Sequence, residues 1–291
     1  MTLQVHDYRR TPTILDGCNT PLSQYVTEPC EAQVKLDGER FLAVRRGSQI
    51  LFLNRHSWSA TDTDLPQLAT GVKQFLGNHD DAVLDGELVA KGGFYGSEGF
   101  LKSRSNRDSL TFVTFDVLEQ DDRDLRLEPY VERWKLLRTY RCNLKVRTVP
   151  SVTILDSDSA AMIFKSAVKT GMEGIVLKRH SSKYVNNAWL RLKAEYTDTV
   201  TIVGIRKTEA FKRTGVASSW LITKDGKPKG HVGSGLTHDT RQKITELLLK
   251  ARLGEDSENI HTQPLIQVEI SYNADLGNTY RSPRIERVIT K

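Results

Sequence analysis

The sequence predicts an α+β chain in two domains, residues 1–197 and 198–291. Three observations predict it. The first part alternates short apolar runs with turn residues and also carries separate stretches of helical periodicity. After Lys193 the runs become β-branched and enclose one helical stretch, which suits a small β-barrel. The length, 291 residues, allows two domains with a proper core in at least one.

Residues 41–44, 50–53, 83–89 and 110–118 read as strands, each bounded by Gly, Asp, Asn or Ser. Residues 130–140 read as a helix with Val131, Trp134, Leu136 and Leu137 along its apolar face. Residues 159–170 read as a second helix that opens on small polar residues and stops at Gly171. Further on, 199–205, 219–223 and 265–272 read as strands, and 238–252 as a helix. Lys224-Asp225-Gly226-Lys227 reads as a turn. No repeat, low-complexity tract or Pro/Gly-rich linker interrupts the chain, and the boundary is placed near Thr197.

A hydrophobic share of 38% with 27% charged residues excludes a disordered chain. No apolar run reaches the length of a membrane span, and the N-terminus lacks a basic-then-apolar leader, so a cytoplasmic protein without a membrane partner is expected. Cys18, Cys30 and Cys142 form no CxxC pair, which argues against a disulfide framework or a zinc site. The net charge of +6 favours a polyanionic partner, because each neutralised phosphate releases counterions. Charge alone does not select nucleic acid, since many basic proteins bind none.

Five short motifs carry chemistry. Lys35-Leu36-Asp37-Gly38-Glu39-Arg40 follows a short strand, 32–34, and places a lysine on a rigid support before a sharp Asp-Gly turn. A lysine there is a nucleophile if its pKa is lowered, and otherwise part of a solvated hairpin. Leu84-Asp85-Gly86-Glu87 sets acids at a strand where a ribose hydroxyl or a divalent cation could sit. Thr114-Phe115-Asp116 offers an aromatic that is either core or a face for a purine. Glu173-Gly174-Ile175-Val176-Leu177-Lys178 brackets an apolar strand with an acid and a lysine. Trp189-Leu190-Arg191-Leu192-Lys193 alternates, so Arg191 and Lys193 share one face as a phosphate clamp or as a solvated edge.

Taken in order, these motifs resemble the covalent nucleotidyltransferase superfamily, and within it the ATP-dependent DNA ligases of minimal, two-domain type. The match runs from about Thr13 to the C-terminus. Lys35, Asp37, Gly38 and Arg40 match the family's K-x-D-G-x-R, and Asn54-Arg55 resembles the next motif. Asp85-Gly86-Glu87, Phe115-Asp116, Glu173-Gly174 and the Trp189-to-Lys193 run follow in family order, and Gly230-His231-Val232-Gly233-Ser234-Gly235 matches the family's later domain. There are departures. Arg191 stands where the family has the first of two lysines, which keeps charge but changes geometry. The family's final R-x-D-K lacks its acid here, leaving Arg287 and Lys291 as substitutes. Gln33 occupies a position where many relatives have Glu.

The resemblance implies a nucleotidyltransferase (adenylation) domain of antiparallel sheets with flanking helices, followed by an OB-fold barrel. It implies that Lys35 takes AMP from ATP, that AMP passes to the 5′-phosphate of a nick, and that the 3′-hydroxyl then displaces it. Asp37, Lys178 and Lys193 would join Lys35 in catalysis. Gln33, Arg40, Arg55, Glu87, Phe115 and Arg191 would hold the nucleotide, with Phe115 on adenine. Glu87 and Glu173 would hold Mg²⁺ (or Mn²⁺). The partner would be nicked double-stranded DNA, gripped by Lys224, Lys227, Lys229, Arg287 and Lys291. RNA ligases and mRNA-capping guanylyltransferases share the lysine motif and are the alternative. The small cysteine count argues against an NAD-dependent ligase. A non-catalytic nucleic-acid binder is the other rival, but it would not need Lys35, Glu87 and Glu173 together. Nothing in the sequence indicates an oligomer, so a monomer is the default expectation.

Overall fold

The computed structural model describes residues 13–17, 19–54, 59–90 and 107–289. The chain divides into two compact units, Met1–Lys193 and Ala194–Lys291.

The first unit is built from twelve strands among the described residues. They are β1 (Leu15–Asp16), β2 (Cys30–Val34), β3 (Glu39–Arg46), β4 (Gln49–Asn54), β5 (Ser59–Thr61) and β6 (Asp81–Val89), then β7 (Thr111–Gln120), β8 (Arg123–Asp124), β9 (Val146–Thr148), β10 (Ser151–Ile154), β11 (Gly174–Arg179) and β12 (Trp189–Lys193). A seven-stranded sheet runs β5-β4-β3-β6-β7-β8, with β9 also paired to β7. A five-stranded sheet runs β1-β12-β11-β2-β10. Both are antiparallel except at the β7–β9 and β1–β12 pairs.

Period-two alternation sends each strand's side chains to opposite faces. On β3, Phe41 and Ala43 join a core with Leu68, Val72 and Phe75 of helix α1 (Pro66–Leu76) and Trp134 and Leu137 of helix α2 (Tyr130–Leu137). Leu42 and Val44 face the other way, into a cluster with Val83, Tyr184 and Trp189. On the smaller sheet, Ala32, Ile175, Leu177 and Leu190 pack under Ile163 and Phe164 of helix α3 (Ser157–Lys169). The unit is therefore layered helix, sheet, sheet, helix, and the functional cavity opens between the two sheets.

Helix α2 ends at Leu137, short of the predicted 140, and its buried face is Tyr130, Arg133, Trp134 and Leu137. Val131, expected on that face, is only half-buried, and Arg133 takes a place that sequence reasoning reserves for apolar residues. Helix α1 was not anticipated, although Pro66 at its start and Leu68, Val72 and Phe75 at helical spacing signal it.

The second unit holds β13 (Tyr196–Arg206), β14 (Trp220–Lys224), β15 (Lys227–Val232), β16 (Arg252–Glu255), β17 (Asn259–Tyr272), β18 (Ala274–Asp275), β19 (Tyr280–Arg281) and β20 (Arg284–Ile289). Its main sheet runs β15-β14-β13-β17-β16, with β20 also on β17. Helix α5 (His238–Lys250) follows the short helix α4 (Glu209–Thr214) and is capped by Thr237, whose hydroxyl accepts from Thr240 N–H. Strand β17 begins at Asn259, six residues before the predicted 265, because the β13–β17 register breaks between Ile202 and Gly204. Gly204 permits the break: a Cβ there would meet the Ile260 carbonyl at 2.6 Å. Among the described residues the ladders do not close into a barrel. A single isolated bridge joins Ser234 to Arg284 beyond the sheet.

Candidate active site

Alternation on six strands aims one set of mostly polar side chains into the space between the sheets. Lys35 follows β2 in phase with Gln33, while Cys30 and Ala32 point to the helix side. Val176 and Lys178 on β11, and Trp189 and Arg191 on β12, are similarly opposed to Leu177 and Leu190. From the larger sheet come Arg40 on β3, Glu87 on β6 and Phe115 on β7. Together with Ile14, Val34, Leu36 and Val149 these residues line a cavity of about 170 Å³.

Two glycines allow the elements to close on it. Gly174, at φ +152°, begins β11 where a Cβ would meet the Leu192 carbonyl at 2.0 Å. Its own carbonyl accepts from Lys35 N–H at 2.9 Å, which brings the preceding Glu173 beside the Lys35 side chain. Lys35 Nζ donates to Glu173 Oε2 at 2.7 Å. Gly38 passes so close to β6 that a Cβ would meet the Leu88 carbonyl at 2.2 Å, and its N–H donates to Glu87 Oε1 at 3.2 Å. Burial pushes the Glu87 carboxyl up to about 7, against the opposing pull of Lys35, Arg40 and the Gly38 N–H.

Arg40 makes a two-pronged bond to the fully buried Asp85, at 3.0 and 2.5 Å. Burial disfavours its charge, but Asp85, Tyr184 and Glu87 outweigh burial and hold the guanidinium firmly charged. Tyr184 donates to Asp85 Oδ2 at 2.8 Å. The guanidinium lies 5.5 Å from the Phe115 ring centroid and 5.2 Å from that of Trp189.

Lys178 is buried among aromatic rings. Its Nζ lies 3.8 Å from the Trp189 centroid, 4.6 Å from that of Phe115 and 4.7 Å from that of Tyr130. It donates to the Phe115 carbonyl at 2.9 Å and stands 3.8 Å from Asp116. Burial drives its amine down to about 7, with Arg133 and Arg40 adding to the effect and Asp116 and Asp85 resisting it. Asp116 is itself bonded by Arg133 at 2.8 and 3.0 Å, and neither side chain is exposed.

Of the residues singled out in the sequence, Gln33, Lys35, Arg40, Glu87, Phe115, Lys178 and Arg191 share the cavity lining, and Glu173 joins them through Lys35. Arg191 donates to Asp16 at 2.8 Å. Asp37 lies half-buried in the turn after Lys35, outside the lining. Lys193 ends β12 opposite Gly174, also outside it. Arg55 and Lys291 fall outside the described residues. In the second unit Lys224 pairs with Asp198 at 2.5 Å, Lys229 with Asp275 at 2.7 Å and Arg287 with Glu269 at 2.9 Å, while Lys227 is exposed at the start of β15. Sequence reasoning gave no role to Tyr130, Arg133 or Tyr184. The signal of Arg133 is a charge among the apolar helix positions Tyr130, Trp134 and Leu137, whereas Tyr184 lies in a polar stretch and becomes legible only beside Asp85.

The comparisons with known proteins agree with this geometry. The model of the ATP-dependent DNA ligase domain matches residues 14–193. Korarchaeum cryptofilum DNA ligase 1 is 25% identical over 275 residues, covering 88% of this chain and 50% of that protein. The Mycobacterium tuberculosis multifunctional non-homologous end joining DNA repair protein LigD is 29% identical over 258 residues, covering 82% of this chain and 33% of that one. A solved structure from work on Lig E DNA ligases, described as DNA binding with a minimal scaffold, superposes with a TM-score of 0.66 at 15% identity over 96% of this chain and 98% of that one. The fold is thus the mixed α/β nucleotidyltransferase type of ligase domains. The chain belongs to the ATP-dependent DNA ligase domain family. It spans about half the length of the curated DNA ligases it matches first. Among the described residues no helix is long and apolar enough to cross a membrane.

Proposed function

We propose that this chain is an ATP-dependent DNA ligase that seals nicks in duplex DNA through a lysine–AMP on Lys35. One observation carries the reading. Lys35 opens into the same cavity as the aromatic Phe115, the acid Glu87 and the cations Arg40, Lys178 and Arg191. That is a nucleophile, a base-stacking face, a hydroxyl acceptor and phosphate counter-charges in one place.

In the first step Lys35 Nζ attacks the α-phosphate of ATP. An N–P bond forms, the P–O bond to pyrophosphate breaks, and the amine must shed a proton. Glu173 Oε2, 2.7 Å from Nζ, is the carboxylate oxygen in reach of that proton. Phe115 stacks on adenine, Glu87 and Arg40 hold the ribose, and Lys178 and Arg191 face the phosphates, with Asp37 and Lys193 at the mouth. AMP then passes to the 5′-phosphate at the nick, and the aligned 3′-hydroxyl displaces it. Glu87 and Glu173 would hold Mg²⁺ or Mn²⁺, because both are hard oxygen donors and the Glu87 carboxylate, disfavoured by burial, gains from a cation. A bound cation would neutralise charge building on the phosphates.

We further infer that the second unit is an OB-fold barrel that contacts DNA. Register breaks at Ile202/Gly204, Leu221/Thr223 and Arg252/Gly254 supply the curvature that closure needs, and β17 carries partners on both edges. Lys224, Lys227 and Lys229 on the β14–β15 hairpin and Arg287 on β20 are its candidate phosphate contacts. The chain acts as a monomer in the cytoplasm on this reading.

The test is incubation with α-labelled ATP and Mg²⁺, followed by denaturation. Wild type takes label, Lys35→Ala does not, and labelled protein then seals a nicked duplex. A wild type with neither label nor added AMP in its intact mass would overturn the reading.

A further inference from the structure

Arg191 reaches the cavity from β12, and beside it stands an acid that no step of the proposed reaction uses. Strand β1 lies parallel to β12 with Asp16 and Arg191 as register partners, and Gly17 N–H ties the two strands by donating to the Arg191 carbonyl at 2.9 Å. Ile14 lines the cavity and Leu15 packs toward helix α3, so alternation puts Asp16 on the cavity side. Arg191 Nε donates to Asp16 Oδ2 at 3.1 Å, and Nη2 donates to the same oxygen at 2.8 Å. Nε and Nη2 make one edge of the planar guanidinium. The adjoining edge, Nη1 with the second N–H of Nη2, has no partner among the described residues and keeps a two-pronged donor for other oxygens. The side chains of Arg191 and Asp16 are 40% and 24% exposed, so the pair adds little to stability. What it sets is direction. A free arginine spreads over many rotamers, whereas one held by one edge presents the other.

A lysine could not be held this way. Its ammonium is a single point charge, and the acid would draw that same group away from the phosphates. We propose that Asp16 is a positioning residue for Arg191: it holds the Nε–Nη2 edge so that the Nη1–Nη2 edge meets the ATP phosphates, and it thereby makes arginine, not lysine, the working cation at this place. The proposal rests on the nucleotide-transfer reading above. It also gives a physical reason for the arginine that departs from the family's lysine at this position.

Single-turnover labelling of Lys35 with α-labelled ATP and Mg²⁺, on protein first discharged with pyrophosphate, tests this in wild type, Asp16→Ala, Asp16→Asn, Arg191→Lys and the Asp16→Ala/Arg191→Lys double variant. In Asp16→Ala the maximal labelling rate should fall by about tenfold, as a misaimed group would cause. The ATP concentration giving half that rate should stay level or drop, because a negative charge beside the phosphates is gone. Asp16→Asn still offers an accepting oxygen and should keep the rate within about threefold of wild type. Arg191→Lys should lose about a hundredfold while Asp16 is present. In the double variant the lysine is released from the acid, so its rate should exceed that of Arg191→Lys by about tenfold, a coupling that neighbours in contact show. If Asp16 only supports β1, the two losses add and the double variant is slower than either single one, which overturns the proposal. An Asp16→Ala protein with the wild-type rate overturns it as well. A wild type that takes no label removes the parent reading and this one with it, and is distinct from a labelled wild type whose double variant shows no recovery.

Discussion

Lys178 shows at the residue scale how burial and chemistry compete. The sequence presents it as a cation closing a strand, and the structure seals it under Trp189, Phe115 and Tyr130 while leaving it on the cavity wall. Its folded value, about 7, lies below its ordinary 10.5, so between these two the unfolded chain binds the extra proton. Stability is then greatest above about 10.5 and is lost as pH falls toward 7. Lys178→Met escapes that loss. Its advantage over wild type in urea unfolding should grow from pH 10 to pH 7 and level off below, reaching on the order of a few kcal/mol. An offset that does not change with pH would show that the amine is not desolvated in the folded protein.

The pairing of helix α2 with strand β7 belongs to the scale of elements. Asp116 and Arg133 are both unexposed and meet through two bonds, and Arg133 also donates to the Glu128 carbonyl. Such a pair adds little net stability when intact, because desolvation offsets attraction, but a half-pair is costly. Arg133→Met should therefore destabilise the protein by about 3–5 kcal/mol in denaturant unfolding. A loss below about 1 kcal/mol would mean that water or another cation reaches Asp116. Half of the twenty described strands, among them β3, β4, β6, β7, β13 and β17, were legible because apolar runs and turn residues mark them, whereas two- to four-residue strands such as β1, β8 and β18 carry too few residues to show a period. The end of helix α2 and the start of β17 were not legible. The first depends on where Arg138 N–H finds the Trp134 carbonyl, and the second on a register break that Gly204 permits.

For the whole molecule, the division at Lys193 separates a unit that holds the polar cavity from one with a basic hairpin. The hairpin's cations are unequal. Lys224 and Lys229 hold Asp198 and Asp275, and a DNA phosphate would have to displace those carboxylates, whereas Lys227 is exposed. Lys227→Ala should thus lower the slope of log affinity against log salt for a nicked duplex by about 1, the contribution of one phosphate contact. Replacing Lys224 and Lys229 as well should weaken binding further and flatten the slope. A triple variant with wild-type salt dependence places the DNA contact elsewhere.

The sequence by itself determined the order of the motifs, the alternation that sets Trp189 and Arg191 on one face, and the family to which these belong. Each depends on residues near one another in the chain, where period and spacing are visible. Only the tertiary structure decided that Arg40 is held by Asp85 and Tyr184, that Arg133 neutralises Asp116 and that Gln33 meets Tyr130. Gln33 and Tyr130 are 97 residues apart. A buried polar group is defined by the partner that satisfies it, and no local pattern names a partner that folding brings from so far away.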